Sequence, residues 1–329
     1  REVGSSVIED VLSSTCNIPK ETIEHTEANK LLSLEEDIKD KVFGQDTAVE
    51  EIVRSIKMSR AGLNDENKPV ASMLFVGPTG TGKTEVAKVL AKETGVELIR
   101  FDMSEYQEQH SVAKFIGSPA GYVGNEDGGQ LPELIRKNPH CVLLLDEIEK
   151  AHPDIFNTLL QVMDNATLTD NKGRKADFRN VVIIMTSNAG ARDIGKKGIG
   201  FGAGDHGSSS MDAEVKRIFA PEFRNRLTKT IKFNGITDDV ALMIAKKLFK
   251  ELGEKIEAKG VELIVTDSSY GAIADKGTSI ETGAREMKRV IDSEVKPLFV
   301  DKILLGELSE GSRCKIEYIE GEFKLTVLD

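Results

Sequence analysis

The chain has 329 residues and a net charge of −11, with 39% hydrophobic and 30% charged residues, enough for one large core or two moderate ones in an ordinary soluble composition. The acidic balance argues against nucleic acid, whose phosphates need clustered Lys and Arg; no apolar run approaches a membrane span and no signal peptide is visible, so no membrane is expected either. Cys16, Cys141 and Cys314 lie far apart, which excludes a disulfide framework and a zinc pattern and points to a reducing, cytoplasmic setting.

In chain order, residues 1–35 are polar, with "LSSTCNIPKE" predicting a short helix, a turn and a linker. The start on Arg1 rather than Met suits a piece of a longer protein. An amphipathic helix is predicted from Leu34 through "SLEEDIKDKVFG", and a second over "DTAVEEIVRSIKMSRAG", with Asp46 as N-cap and Gly62 as stop. Strands and helices then alternate. "SMLFVG", "ELIRFDM", "CVLLLDE" and "NVVIIMTSN" read as strands; "KTEVAKVLAKETG", "LPELIRKNP" and "HPDIFNTLLQVMDN" read as helices. Short apolar strands separated by helices imply an α/β fold with a parallel sheet covered on both faces.

Two glycine-rich stretches interrupt this rhythm. "GSPAGYVGNEDGG" carries Tyr122, one of only four tyrosines, in a segment with no periodicity of its own. "GKKGIGFGAGDHGSSS" reads as a mobile loop. A helix around "SSMDAEVKRIF" leads to "PEFRNRLTKTIKF", and past Phe233 the pattern changes. Helical runs surround the strand "VELIV", and "SRCKIEYIEGEFKLTVL" alternates like a hairpin. The expected organisation is a linker and leading helix over 1–35, a large α/β domain over 36–233 and a smaller α+β domain over 234–329.

"GPTGTGKT", Gly77 to Thr84, follows a strand and opens a helix, the setting a phosphate-binding P-loop needs. Gly77, Pro78, Thr79, Gly80, Thr81 and Gly82 can close backbone N–H groups around phosphate oxygens, aided by the helix N-terminus. Lys83 would reach the β- and γ-phosphates, and the Thr84 hydroxyl would ligate Mg²⁺. "VLLLDE" ends a buried strand on Asp146 and Glu147. Asp146 would hold Mg²⁺, and Glu147 could polarise the attacking water, which points to hydrolysis of ATP. Asn188, ending "VVIIMTSN", can orient the same water or simply terminate its strand. Arg226 and Arg285 show no obvious acidic partner. Each could be a surface ion pair or could neutralise the γ-phosphate, and spacing alone does not choose.

Together "VFGQD", "GPTGTGKTEVAK", "RFDMSEY", "GYVG", the block from "LLLDEIEKAHP" to "TSNAG", "PEFRNRL" and "GARE" resemble the Clp AAA+ ATPases, most of all the second ATPase module of ClpA-type unfoldases. The resemblance runs from about Ile8 to the end of the chain. It implies a three-layer large domain with a small lid domain, a hexameric ring and ATP/ADP with Mg²⁺. It further implies protein substrates threaded through the pore into a ClpP-type peptidase. Val42 and Phe43 would lie on the adenine side, and Asn188 and Arg285 would be the two sensors. Arg226 would be the arginine finger reaching a neighbouring subunit. Gly121, Tyr122, Val123 and Gly124 would grip substrate in the pore, where a flat amphipathic ring holds any sequence. Ile199, Gly200 and Phe201 would dock the peptidase, since exposed large apolar residues need a cover. Residues 1–35 resemble the linker between two ATPase modules. The competing expectations are a ClpB-like disaggregase without a peptidase, a nucleotide-switched assembly factor and a non-hydrolysing scaffold.

Overall fold

The structure is a computed structural model that describes residues 26–117, 129–189, 206–277 and 283–328. Its residues divide into two compact units. One runs up to Gly77 and from Gly82 to Phe233; the other takes Pro78–Thr81 and Asn234 onward.

The first unit opens with α1 (Thr26–Lys39) and α2 (Asp46–Arg60). Helix α1 starts upstream of Leu34 and crosses the expected boundary at residue 35. Its first turns, "TEANK", are polar, so no apolar period announces them; Leu34 and Ile38 supply its buried face. For α2, Gln45 rather than Asp46 holds the N-cap position, and Gly62 follows the helix at φ +70°. Next come β1 (Ala71–Val76), α3 (Lys83–Thr94), β2 (Glu97–Asp102), α4 (Gln109–Ile116), α5 (Gln130–Lys137), β3 (Cys141–Asp146) and α6 (Pro153–Asn165). The unit closes with β4 (Thr167–Thr169), β5 (Lys175–Asp177), β6 (Val181–Ser187), α7 (His206–Ile218), α8 (Pro221–Arg226) and β7 (Lys229–Lys232).

Five of these strands form one parallel sheet in the order β2-β3-β6-β1-β7. Strands β1, β3 and β6 are buried along their whole length, which is why they read as continuous apolar runs. Successive residues serve opposite faces. Leu74, Val76, Leu143, Leu145, Ile183 and Met185 join one core, while Met73, Phe75, Val142, Leu144 and Ile184 join the other. Register aligns Asp102 with Asp146, and Val76 with Ser187. The carboxyl ends of β1, β3 and β6 therefore lie side by side. In such sheets ligands gather at that edge.

The short antiparallel pair β4–β5 was not legible as strands, being three residues each. Its turn is closed by Asp170, whose buried carboxylate accepts from the N–H groups of Lys172 at 2.9 Å and Arg174 at 2.8 Å.

The second unit packs α9 (Asp238–Glu257), α10 (Asp267–Gly277), α11 (Arg285–Val290) and α12 (Pro297–Leu304) on a small sheet. That sheet runs β10 (Glu322–Leu328), β9 (Arg313–Ile319), β8 (Glu262–Val265), with β9 and β10 an antiparallel hairpin and β8 parallel to β9. Phe249, Ile273, Met287 and Ile316 are at its core.

Candidate nucleotide site

Strand β1 delivers the chain to Gly77, where φ is +150° and a Cβ would sit 2.5 Å from the Phe233 carbonyl oxygen. Only glycine fits a place that closes against backbone. Gly80 and Gly82 also have positive φ, +74° and +100°. Lys83 then opens α3, only 6% exposed. Its ammonium donates to the Gly77 carbonyl at 2.7 Å and to Asn188 Oδ1 at 3.1 Å. This folds the side chain back over the loop, and joins the end of β1 to the end of β6.

Asp146 is 5% exposed at the end of β3. It accepts the Thr186 hydroxyl in a short hydrogen bond, and the Arg100 guanidinium at 2.8 Å. The Thr84 hydroxyl lies 3.4 Å from both of its oxygens. Glu147 follows in the left-handed region, φ +55° and ψ +50°, a conformation that costs a non-glycine residue about 1–2 kcal/mol. Its N–H donates to Thr186 Oγ1 at 3.1 Å, so one buried hydroxyl ties down both carboxylate residues. Glu147 Oε2 accepts from Ser104 at 3.2 Å and pairs with Lys150 at 2.5 Å. The hydrogen bond to Glu147 lifts Lys150 above its usual pKa. Glu147 Oε1 is 3.5 Å from Asn188 Nδ2, and the Asn188 N–H donates to Glu149 Oε1 at 3.0 Å.

This donor set fits a magnesium nucleotide. A glycine cradle and a lysine at a helix N-terminus suit the phosphates, and one hydroxyl–carboxylate pair suffices for a metal when phosphates and water supply its other ligands. Among the described residues no group of three or more His, Cys, Asp or Glu could hold a metal unaided.

The structure thus brings Lys83, Thr84, Asp146, Glu147 and Asn188 together. Val42 is buried beside them, its Cγ1 3.4 Å from where a Cβ on Gly82 would be, and Phe43 is half-buried in the turn before α2. Thr81 donates to the Pro78 carbonyl at 2.9 Å, closing the loop on itself. Arg226 requires a correction, since it has an acidic partner. Its Nε donates to Asp164 at 2.6 Å and its Nη1 to the Glu222 carbonyl at 3.0 Å. Arg285 is exposed at the first turn of α11 in the second unit. Gly121–Gly124 and Ile199–Phe201 lie outside the described residues.

Sequence reading missed Arg100, Ser104, Lys150 and Thr186. Arg100 and Thr186 reach the carboxylates from neighbouring strands, and Ser104 from the turn that follows β2, so only strand order and register reveal them. Lys150 was accessible in principle, three residues after Glu147.

Residues 68–230 match the family model described as AAA domain (Cdc48 subfamily), and residues 236–316 match the C-terminal, D2-small domain of ClpB protein. Residues 13–113 match the Torsin model. The chain is 46% identical over 314 residues to the "ClpA homolog protein" of Fuscovulum blasticum, covering 95% of this chain and 40% of that protein. It is 42% identical over 332 residues to the "ATP-dependent Clp protease ATP-binding subunit ClpC" of Staphylococcus epidermidis, covering 98% of this chain and 41% of that one. The "Negative regulator of genetic competence ClpC/MecB" of Bacillus subtilis is 41% identical over the same span, with the same coverage. This chain belongs to the Clp AAA+ ATPases. It spans about two fifths of the length of these Clp relatives. The AAA segment of the Clp chain contains Lys83, Thr84, Asp146, Glu147, Asn188 and Arg226, and the small-domain segment contains Arg285.

Proposed function

We propose that this chain is an ATP-dependent protein unfoldase and translocase module. It works in the cytoplasm within a ring of six and threads protein substrates into a ClpP-type peptidase. The convergence of Lys83, Thr84, Asp146, Glu147 and Asn188 at three adjacent strand ends carries the reading. A nucleotide store needs the first three; a carboxylate and an amide beyond them serve hydrolysis. Lys83 would exchange the Gly77 carbonyl and Asn188 for β- and γ-phosphate oxygens. Mg²⁺, held by Thr84 and Asp146, would supply neutralisation of the phosphate charge. Glu147 takes the proton of the attacking water, and Asn188 orients that water. Val42 and Phe43 cover the adenine.

Arg285 in cis and Arg226 from the adjacent subunit add positive charge at the γ-phosphate. The latter requires Arg226 to leave Asp164, a surface pair whose loss costs little. Tyr122, with Gly121, Val123 and Gly124, grips the moving polypeptide, and Ile199–Phe201 dock the peptidase. The match of residues 236–316 to a ClpB small domain favours a second reading, disaggregation without a peptidase.

One experiment separates them. ATP-dependent degradation of a tagged folded protein is measured with added ClpP, in the wild type and with residues 199–201 deleted. Loss of degradation with ATPase activity intact supports peptidase docking; undiminished degradation refutes it. Tyr122→Ala is expected to retain ATPase activity and abolish unfolding; retention of both refutes the pore role.

A further inference from the structure

Residues 117 and 129 bracket the segment that carries Tyr122, and their backbones abut. A Cβ on Gly129 would lie 2.1 Å from the Ile116 carbonyl carbon and 2.5 Å from the Gly117 nitrogen. The two stems are therefore pressed together with no room for any other residue at position 129. One side chain touches both stems. The Tyr106 ring, 5% exposed, packs on Phe115 of the first stem with centroids 4.9 Å apart. Its hydroxyl donates to Oε1 of Gln130, the first residue of the second stem's helix α5, at 2.8 Å. Phe101 completes the cluster, edge-on to Phe115 at 4.9 Å and to Tyr106 at 6.0 Å. Burial lifts the phenol above its usual pKa, with the charge of Glu105 adding to the effect. The hydroxyl keeps its proton and stays a donor.

The same residue is wired to the carboxylate turn. The Tyr106 carbonyl accepts the His152 N–H at 3.0 Å, at the end of the turn that begins with Glu147. Two residues earlier, Ser104 donates to Glu147 itself. The short 3-10 turn Met103–Tyr106 between these contacts is closed by two further hydrogen bonds. Asp102 caps the Ser104 N–H at 2.9 Å, and Gln107 Nε2 donates to the Ser104 carbonyl at 3.0 Å. Tied to the carboxylate turn at Ser104 and at Tyr106, this turn would follow a shift at Glu147, because close-packed elements shift between discrete arrangements rather than bend.

We infer that Tyr106 is a positioning residue that passes a change at the Glu147 turn to the paired stems of residues 118–128, through its hydroxyl on Gln130 and its ring on Phe115. The inference rests on the reading of that segment as the substrate-gripping element. The Tyr106 hydroxyl bonds Gln130 and its ring packs on Phe101 and Phe115, so substitution at Tyr106 or Gln130 is expected to spare nucleotide binding.

Hydrogen–deuterium exchange of the amides of residues 117–131, with ADP and with a slowly hydrolysed ATP analogue, tests it on the chain alone. In the wild type the two nucleotides are expected to give exchange rates that differ on the order of tenfold. Tyr106→Phe, which keeps the ring, is expected to remove that difference while affinity for a fluorescent ADP stays the same. Gln130→Ala removes the acceptor from the other side and is expected to give the same loss. Combining the two substitutions is expected to add nothing further. A nucleotide-dependent difference that persists in both variants overturns the inference, as does its absence from the wild type. Faster exchange across β1 and β3 in either variant would signal general loosening. The inference then fails unless the other variant loses the difference without it. Failure here leaves the Tyr122→Ala outcome untouched, so the grip reading and the coupling stand or fall separately.

Discussion

Thr186→Val removes one hydroxyl and almost no volume, yet that hydroxyl is shared by both carboxylate residues. It donates to Asp146 and accepts the Glu147 N–H, in a side chain 2% exposed. Without it the Glu147 N–H is stranded in a left-handed backbone that already carries strain. An unsatisfied buried donor costs about 1–3 kcal/mol, and a hydrogen bond to a charged group contributes about 1.5–3 kcal/mol. Part of the second survives because Arg100 still pairs with Asp146, so the net loss is about 3 kcal/mol. That is roughly a hundredfold in the opening equilibrium of the first unit. Hydrogen exchange of the slowest amides of β3 and β6 measures it without interference from the second unit. ATP turnover is expected to fall with it, because Glu147 loses its backbone anchor. Thr186→Ser, which keeps the hydroxyl, should lie within about 1 kcal/mol of wild type. A Thr186→Val protein with wild-type exchange and wild-type turnover would refute the assignment of this hydroxyl as the joint between the carboxylates.

Gly77→Ala should reduce affinity for fluorescent ADP at least about tenfold, since its Cβ meets backbone at 2.5 Å. Gly173→Ala, at φ +73° with nothing within 4 Å, should cost about 1 kcal/mol of stability and leave affinity alone. Burial would raise the pKa of Asp170, but the Arg174 N–H, the Arg174 side chain and the Lys172 N–H outweigh it and hold the carboxyl below its usual range. Its stabilisation is therefore complete above the unfolded carboxylate pKa of about 3.9 and is lost as pH falls through the lower folded value. Unfolding measured against pH between about 5 and 2 should be flatter for Asp170→Asn than for wild type. Burial, reinforced by Glu97, pushes the Cys141 thiol up to about 12, and burial raises Cys314 as well. Both should resist alkylation at neutral pH until the chain unfolds, as peptide mass mapping would show.

The central strands were readable because burial on both faces turns each into an uninterrupted apolar run, and the P-loop because its spacing is local. Lys83, Thr84 and their glycines occupy eight consecutive positions, and Asp146 and Glu147 announce themselves at the end of "VLLLDE". What surrounds the carboxylates was hidden, because Arg100 and Thr186 reach Asp146 from 46 and 40 residues away through strand register. The same holds for Arg226, whose partner Asp164 is 62 residues distant and comes near only when α6 and α8 pack. The early start of α1 and the β4–β5 pair escaped notice for a different reason, being too polar or too short to impose a period.

The central claim is that Glu147 performs hydrolysis in a site that binds ATP without it. Nucleotide affinity and ATP turnover, measured on the same preparations of wild type and Glu147→Gln, test this most directly. The account predicts unchanged affinity and a turnover reduced by about 10²-fold or more in the variant. Equal turnover in the two proteins, or loss of binding along with activity, would contradict it.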